Sequence, residues 1–143
     1  MVATAVRVRL FDNLAEALAG LKPSACTMHG ACDTYAVVEY NGDVYPCDFF
    51  VRSEWKLGNV NVDSWPEIAR RQRRFEFAAK KALAHPDCLA CNYASICHCG
   101  CPKDRHSRFK SFEDLDWFCS AYKMIFAKAA APLRRDVEKL RGK

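Results

Sequence analysis

Nine cysteines in a chain of 143 residues constrain the fold more than any other feature of this sequence. They are Cys26, Cys32, Cys47, Cys88, Cys91, Cys97, Cys99, Cys101 and Cys119. An odd number of cysteines cannot pair off completely in disulfides. The first ten residues contain no apolar stretch ending in a small-residue cleavage site, so we expect no secretory signal and a reducing cytoplasm. The cysteines are therefore expected to bind metal, because a stably ionised thiolate needs a positive partner.

The overall composition excludes two classes of partner. The 22 Lys and Arg exceed the 17 Asp and Glu by only five, and these charges are dispersed along the chain. A nucleic-acid-binding protein is expected to carry a concentrated basic face instead. No apolar run approaches the roughly 18 residues of a membrane span. We therefore expect one modest domain that binds neither nucleic acid nor membrane.

The first 25 residues predict a strand followed by a helix. Valines alternate with arginines from Val6 to Leu10, which is typical of a strand, and apolar residues then recur at helical spacing up to Leu21. Gly20 and Pro23 are expected to end this helix. A strand this close to the N-terminus has few partners within the chain, so it is interpreted as the tail of a sheet from a preceding domain.

A β-hairpin is predicted around Asn41-Gly42. The flanking runs, residues 34–40 and 43–47, are rich in strand formers, and the Asn-Gly pair tolerates the positive φ angles of a two-residue turn. With that turn, Tyr40 lies opposite Asp43 and Ala36 lies opposite Cys47. The hairpin therefore brings Cys32 and Cys47 to the same open end.

Two helices are predicted in the second half of the chain. A capping box at residues 64–67 begins a helix that is expected to run to about Ala84, before His85-Pro86. Its buried face is predicted to comprise Trp65, Ile68, Phe75, Ala79 and Leu83, and its basic cluster of Arg70, Arg71, Arg73 and Arg74 is interpreted as a solvated surface. A second cap, Ser111 with Asp114, begins a helix that presents Cys119 from its core side and ends at Pro132. The fold class is thus α+β, with one hairpin, several helices and little regular sheet.

The cysteine spacing leaves two kinds of metal site open. The densest segment reads Cys88-x2-Cys91-x5-Cys97-x3-Cys101, with Cys99 inside the last gap. Cys88, Cys91 and Cys97 with one of Cys99, Cys101 or His98 would satisfy a mononuclear zinc site. Zinc does not account for the upstream set, Cys26-x5-Cys32-x14-Cys47, which requires a second site with a ligand from another segment.

From about Val8 onward the sequence resembles the C-terminal SPASM domain of anaerobic sulfatase-maturating enzymes, which are radical S-adenosylmethionine (SAM) proteins. The pattern of that domain is met, in order, by Cys26, Gly42, Cys47, Cys88, Cys91, Cys97, Cys101 and Cys119, with Cys32 as a further ligand. The strings VVEYNGDVYPCDFFV, WKLGNV and CPKDR also resemble this subfamily.

The resemblance implies two fully thiolate-ligated [4Fe–4S] clusters. One would be held by Cys26, Cys32, Cys47 and Cys101, and the other by Cys88, Cys91, Cys97 and Cys119. In the resembled enzymes the Asp after the third cysteine is the proposed catalytic base, a role that falls here to Asp48. A carboxylate beside an anionic cluster and aromatic side chains is expected to have a raised pKa, although a plain strand-end carboxylate is an open alternative.

The resemblance has two departures. Cys99 occupies a position that is usually small, commonly Gly, and is expected to be a spare thiol. The Cys-x3-Cys-x2-Cys loop that holds the SAM-binding cluster is absent from the chain. Residues 1–25 are therefore expected to be the tail of a missing radical SAM partial barrel, and residues 26–143 the SPASM domain. SAM and a third [4Fe–4S] cluster would belong to the missing part, so this chain is expected to be inactive alone.

The expected function is that of an auxiliary-cluster domain in a cytoplasmic oxidoreductase that converts a sulfatase Cys or Ser to formylglycine. The domain would transfer electrons and cover the substrate peptide, with the radical SAM domain and the sulfatase peptide as partners. Two alternatives remain open: a zinc-stabilised binding module without a redox role, and the SPASM domain of another peptide-modifying radical SAM maturase.

Overall fold

Two helices from opposite ends of the chain pack against each other in the computed structural model. The structure describes residues 6–33, 35–109 and 111–142, and it describes only the backbone at Gln72 and at residues 106–109. The helices are α1 Arg9–Leu18, α2 Trp65–Arg70, α3 Gln72–Ala79, α4 Pro86–Leu89, α5 Ala94–Cys97, α6 Pro102–Phe109 and α7 Cys119–Arg141. The strands are β1 Val37–Val38, β2 Asp43–Tyr45 and β3 Gly58–Asn59. Single turns of 3-10 helix cover Cys26–Met28, Asp48–Phe50, Ser53–Trp55 and Lys80–Ala82. The predicted α+β class is confirmed.

The α1–α7 pair forms the first of two small hydrophobic cores. Leu14 of α1 and Phe126 of α7 are buried together with Ile96 of α5 and Met28 of the 3-10 turn that begins at Cys26. Asn13, which is 1% exposed, joins α1 to the segment before Cys26, because its Oδ1 accepts a hydrogen bond from the Ala25 N–H at 2.5 Å. The core therefore fixes the position at which the first cysteine enters the fold.

The strand predicted at the N-terminus is wrong within the described residues. Residues 6–8 form no strand, and α1 already begins at Arg9. The Val8 carbonyl accepts hydrogen bonds from the N–H groups of Phe11 and Asp12, so it starts the helix. The valines alternate as in a strand, but no neighbouring strand is present here to pair with them. The predicted end of the helix is confirmed, since Gly20 follows it with a φ of +69°.

The predicted hairpin is present, but its register differs by one residue. Val37 pairs with Tyr45 and Val38 with Val44, so the loop has three residues, 40–42, rather than two. Gly42 closes this loop at a φ of +86°, which is typical of a three-residue hairpin. A side chain at Gly42 would also collide with the side-chain atoms of Asn59 and Asn61. That close approach reflects a third strand, β3, which the sequence did not indicate.

The β3 strand pairs antiparallel with β2, in the register Asp43 with Asn59 and Val44 with Gly58. Val44, Leu57 and Ile68 form the second hydrophobic core beneath this sheet. The Lys56 ammonium lies 2.5 Å from the Asp43 carboxylate at its edge. The sheet is small, as expected, and it ends at the residues that lead into Cys47.

The helix predicted from Ser64 to Ala84 is divided into two helices and a 3-10 turn. Its capping box is confirmed, with the Glu67 carboxylate accepting a hydrogen bond from the Ser64 N–H at 2.8 Å. The chain leaves the helical conformation at Arg71, where ψ is 127°. This break changes the helical phase, so Phe77 is buried while Phe75 is 61% exposed. The predicted burial of Trp65, Phe75 and Ala79 is wrong, that of Ile68 is confirmed, and Leu83 is half-buried.

The last helix begins later and ends later than predicted. Ser111 Oγ accepts a hydrogen bond from the Glu113 N–H, but residues 111–118 form turns and α7 begins at Cys119. Asp116 makes the last turn before the helix, since its backbone carbonyl accepts from the Cys119 N–H. The helix continues through Pro132, because Leu133 beyond the proline still packs against the first core. Among the described residues, no helix is both long and apolar enough to cross a membrane.

Candidate metal centres

The nine cysteines, all of them free thiols, divide between two cavities. The first cavity has a volume of about 480 Å³, including the open space at its mouth. The cysteines that line it are Cys26, Cys32, Cys47 and Cys101. Aromatic rings complete its wall, with Phe50 and Phe77 in edge-to-face contact at 5.0 Å between ring centroids. The hypothesis that Cys32 and Cys47 lie at the same end of the hairpin agrees with this arrangement.

Four separate segments bring the thiols of the first cavity together. Cys26 begins a 3-10 turn, and Cys32 lies in the loop that follows this turn. Cys47 follows β2 and precedes the turn that begins at Asp48. Cys101 lies immediately before α6, and its N–H donates to the Asp116 carboxylate at 2.9 Å. Thiols that are far apart in the sequence therefore line one cavity only in the folded chain.

The second cavity has a volume of about 400 Å³, including the open space at its mouth, and is lined by the other five cysteines. These are Cys88, Cys91, Cys97, Cys99 and Cys119. Cys88 lies in the short helix α4, and Cys97 is the last residue of α5. Cys119 reaches the cavity from the first position of α7. Tyr122 and Phe126 of α7 form part of its wall, so this cavity adjoins the first hydrophobic core.

Burial keeps several of these thiols protonated when no metal is bound. Desolvation raises the pKa of Cys32, Cys47 and Cys97 to about 11 in each case. Burial raises the pKa of Cys88 to about 12, and the neighbouring Cys99 thiol adds to this increase through its charge and a hydrogen bond. A metal ion that binds these thiols must therefore displace protons. Buried thiols facing one cavity are suited to a cationic metal centre and poorly suited to remaining empty thiolates.

A buried lysine lies beside both cavities. Lys81 is 2% exposed, and its ammonium donates to the carbonyls of Thr27, at 3.0 Å, and Gly100. Burial lowers the pKa of Lys81, while the charges of Cys32 in the first cavity and Cys97 in the second act in the opposite direction. The sequence analysis did not single out Lys81, because nothing in the string AKKALAH distinguishes it from the half-buried Lys80 beside it.

The segment between the two cavities has an unusual backbone. Three consecutive residues have left-handed φ angles: His98 at 49°, Cys99 at 63° and Gly100 at 73°. Glycine adopts this conformation without an energetic cost, whereas any other residue destabilises the fold by roughly 1–2 kcal/mol when it does so. A side chain at Gly100 would collide with the carboxylate of Asp116, whose side chain is 4% exposed overall and whose pKa is raised by burial. This loop carries Cys97 into one cavity and Cys101 into the other.

Asp48 lies next to the first cavity but is exposed to solvent. Its Oδ1 accepts a hydrogen bond from the Tyr35 hydroxyl at 3.1 Å and lies 3.4 Å from the Cys47 sulfur. The expectation that aromatic residues enclose Asp48 is wrong. Phe50 turns inward, and Phe49 is 53% exposed with the Lys103 ammonium 4.2 Å from its ring centre. Asp48 faces an open groove of about 900 Å³ that also contains Cys26 and Tyr35.

The thiol donors of each cavity fit a metal centre. Each cavity presents at least four thiols, which are the usual ligands of iron–sulfur clusters and structural zinc. Among the residues that the structure describes, however, no three Cys, His, Asp or Glu side chains converge as one metal ion requires.

The sequence matches one family model, the SPASM iron–sulfur cluster-binding domain, over residues 26–92. The chain is 36% identical over 124 residues to a cysteine-type anaerobic sulfatase-maturating enzyme of Clostridium perfringens (strain 13 / Type A), which corresponds to 87% of this chain and 34% of that enzyme. It is 35% identical over 125 residues to a serine-type anaerobic sulfatase-maturating enzyme of Bacteroides thetaiotaomicron, covering 86% of this chain and 30% of the other.

Solved structures show the same relationship. Native anSMEcpe with bound AdoMet and Cp18Cys peptide superimposes with a TM-score of 0.85 at 34% identity, over 94% of this chain and 37% of that chain. Native anSMEcpe with bound AdoMet gives a TM-score of 0.84 over 93% of this chain and 36% of the other. The chain thus spans about a third of the length of the relatives it matches. Residues 26–92 belong to the SPASM family of iron–sulfur cluster-binding domains, and the chain is related to the anaerobic sulfatase-maturating enzymes.

Proposed function

We propose that each cavity binds one [4Fe–4S] cluster. Cys26, Cys32, Cys47 and Cys101 would ligate the cluster in the first cavity, and Cys88, Cys91, Cys97 and Cys119 would ligate the cluster in the second. The observation that carries this proposal is the division of the cysteines into two separate cavities, with at least four thiols in each. Each site then supplies a complete set of thiolates.

Complete thiolate ligation determines what such a site contributes. A [4Fe–4S] cluster without an open iron position exchanges single electrons and does not bind substrate at iron. The chain surrounds these sites with apolar rings and one buried ammonium, that of Lys81, and these features set the local dielectric and charge. The proposed role of the domain is therefore to accept and pass on single electrons and to hold its part of the fold together.

The relatives suggest the reaction that this domain serves. We infer that the complete protein is a radical SAM oxidoreductase that acts in the cytoplasm and converts a Cys or Ser of a sulfatase peptide to formylglycine. Both a cysteine-type and a serine-type relative resemble this chain, so the choice of substrate residue stays open. Residues 1–25 would join the SPASM domain, residues 26–143, to a radical SAM domain that supplies AdoMet cleavage and a third cluster.

Asp48 is proposed as the base of this reaction. It lies beside a ligand of the first cavity and faces an open groove, with Tyr35 donating to its Oδ1. In this role its carboxylate accepts the thiol or hydroxyl proton of the substrate residue, while one electron leaves toward the cluster site. Its exposure to the groove gives a peptide access to the carboxylate.

The cluster proposal is tested by metal analysis of protein prepared without oxygen. We expect about eight iron and eight sulfide per chain, because each of two sites holds four of each. Cys32→Ala should lower both values by about half, since only the first cavity loses a ligand. About two zinc per chain without sulfide would instead identify a zinc-stabilised binding module and overturn the proposal.

The role of Asp48 is tested in the complete enzyme. Asp48→Asn should retain iron content and AdoMet cleavage while formylglycine formation falls by about 10²-fold or more, since a general base contributes roughly that factor. Glu54→Gln, which alters an exposed carboxylate a few residues away, should leave the yield unchanged and serves as the control. A near-normal yield from Asp48→Asn would return this residue to a structural role.

A further inference from the structure

The second cavity contains one more thiol than a four-iron cluster needs. Of its five cysteines, four lie within the twelve residues from Cys88 to Cys99, whereas Cys119 comes from the start of α7. All nine cysteines of the chain are described, and none besides its four ligands lines the first cavity. The surplus is therefore specific to the second site.

The fifth thiol, Cys99, is placed to reach the metal site. It lines the second cavity together with Cys88 and Cys97, and its thiol acts directly on that of Cys88. The left-handed backbone at His98 and Cys99 reverses the chain direction directly after Cys97, so Cys99 faces the same cavity although only one residue separates the two cysteines. If the Cys99 thiol pointed away from the cavity, the cluster would have its four ligands and no fifth thiol that could replace one of them.

We propose that Cys99 is an alternative fourth ligand of the cluster in the second cavity and replaces Cys119 when α7 withdraws its first turn. This inference rests on the proposed function, since it assumes that a [4Fe–4S] cluster occupies this cavity. In the exchange, the Cys99 thiol gives up its proton as its sulfur binds iron, and the released Cys119 sulfur takes up a proton. No electron is transferred, and the cluster keeps four thiolates.

The short sequence separation between Cys99 and three other ligands favours Cys99 as the alternative fourth ligand. Cys88, Cys91, Cys97 and Cys99 belong to one short segment, so closing the loops among them costs little conformational entropy. Ligation by Cys119 requires α7 to be docked on α1 and the first core to be formed. The segment from Cys88 to Cys99 can therefore bind a cluster before or without that docking, and Cys119 completes the site afterwards.

The test compares iron and sulfide content in variants of the full chain prepared without oxygen. Cys119→Ala should retain about eight iron per chain because Cys99 takes the vacant position, and Cys119→Ser provides a second variant of similar size. Cys99→Ala should also retain about eight, whereas the double variant should fall to about four. Cys47→Ala, in the cavity without a spare thiol, should fall to about four and is the matched control.

Alkylation of free thiols in the folded protein gives an independent measurement. With eight of nine thiols bound to iron, the unmodified chain should carry about one alkyl group. Cys119→Ala should carry none, because all eight remaining thiols are ligands. The proposal is overturned if Cys119→Ala falls to about four iron, if its Cys99 is alkylated, or if the double variant keeps eight. A low iron content in the unmodified chain would instead contradict the proposed function itself.

Discussion

At the scale of single residues, the loop from Cys97 to Cys101 shows how closely backbone and buried charge are matched. Gly100 has a left-handed φ of 73° and lies against the Asp116 carboxylate, which accepts hydrogen bonds from the N–H groups of Cys101 and Phe118. This carboxylate is buried, so its bonds to the backbone replace the water it has lost. The position of Cys101 thus depends on the absence of a side chain at Gly100.

Gly100→Ala should therefore destabilise the chain strongly. The new Cβ would collide with Asp116, in addition to the roughly 1–2 kcal/mol cost of the left-handed conformation. Gly20→Ala is the matched control, because Gly20 has a φ of +69° but no atom within 4 Å of the added Cβ. Thermal unfolding should show a small decrease in Tm for Gly20→Ala and a much larger one for Gly100→Ala. Equal decreases would contradict the packing argument.

Lys81 is predicted to raise the reduction potentials of both proposed clusters. A reduced cluster carries one more negative charge, so a neighbouring buried cation stabilises the reduced form. Lys81→Met should make both potentials more negative, as measured by a spectroscopic redox titration. Lys80→Met, at a half-buried residue whose ammonium lies over the Phe112 ring, should change them little. If the Lys81→Met variant carried its full iron content and its potentials were unchanged, Lys81 would serve only to bind the Thr27 and Gly100 carbonyls.

At the scale of secondary-structure elements, α7 retains a proline in its interior. Pro132 has no N–H to donate, yet the helix runs from Cys119 to Arg141. Packing of Ala129 and Leu133 against the first core, on either side of the proline, outweighs this local cost. Pro132 was expected to end the helix because the sequence reveals the low helix propensity of proline. The sequence does not reveal which residues after Pro132 pack against the core.

Pro132→Ala should stabilise the chain. The substitution restores one backbone hydrogen bond and removes a residue that costs about 3 kcal/mol in a helix interior, partly offset by the greater freedom of the unfolded chain. We expect a measurable increase in Tm with no change in iron content. Ala131→Gly, at the adjacent exposed helical position, should lower the free energy of unfolding by roughly 1 kcal/mol and therefore lower Tm. A decrease in Tm for Pro132→Ala would show that the helix requires the proline.

The features predicted correctly from the sequence depend on neighbours along the chain. The capping box at Ser64, the end of α1 at Gly20 and the presence of the hairpin are set by local chemistry. The hairpin register was predicted wrongly by one residue, because β3 packs against Gly42 from outside the hairpin. The break at Arg71 and the burial of Lys81 likewise depend on tertiary contacts. The two cysteine sets came from a family resemblance, since spacing alone left both a zinc site and clusters open and did not assign the ligands of a second site.

At the scale of the whole molecule, the apolar packing is divided into small units. Of the eleven buried apolar side chains among the described residues, four form the first core and three form the second, while Phe50 and Phe77 pack together in the wall of the first cavity. The second cavity adjoins the first core, to which Ile96 of α5 and Met28 of the turn that begins at Cys26 contribute. Metal that binds only the folded arrangement of these thiols adds its binding free energy to the stability of the fold.

Removal of the proposed clusters should therefore destabilise the entire chain. Because ligand binding to the folded state adds to the free energy of unfolding, ferricyanide with a chelator should lower Tm markedly and broaden the transition. The chelator alone, which does not reach intact clusters, is the control. Loss of amide-exchange protection should extend from the cysteine loops into α1 and α7, since Met28 and Ile96 belong to their shared core. An unchanged Tm after complete iron loss would contradict this dependence.

The position of Lys81 between the two cavities has a consequence for how the domain handles successive electrons. On the proposed ligation, both clusters interact with the same buried ammonium, and a short loop alone separates Cys97 from Cys101. Once one cluster is reduced, its added negative charge acts across this low-dielectric gap on the other. The second reduction then requires a stronger donor than the first, which is anticooperative behaviour. With a donor too weak for the second reduction, a domain built in this way would take up one electron and pass it on before accepting another.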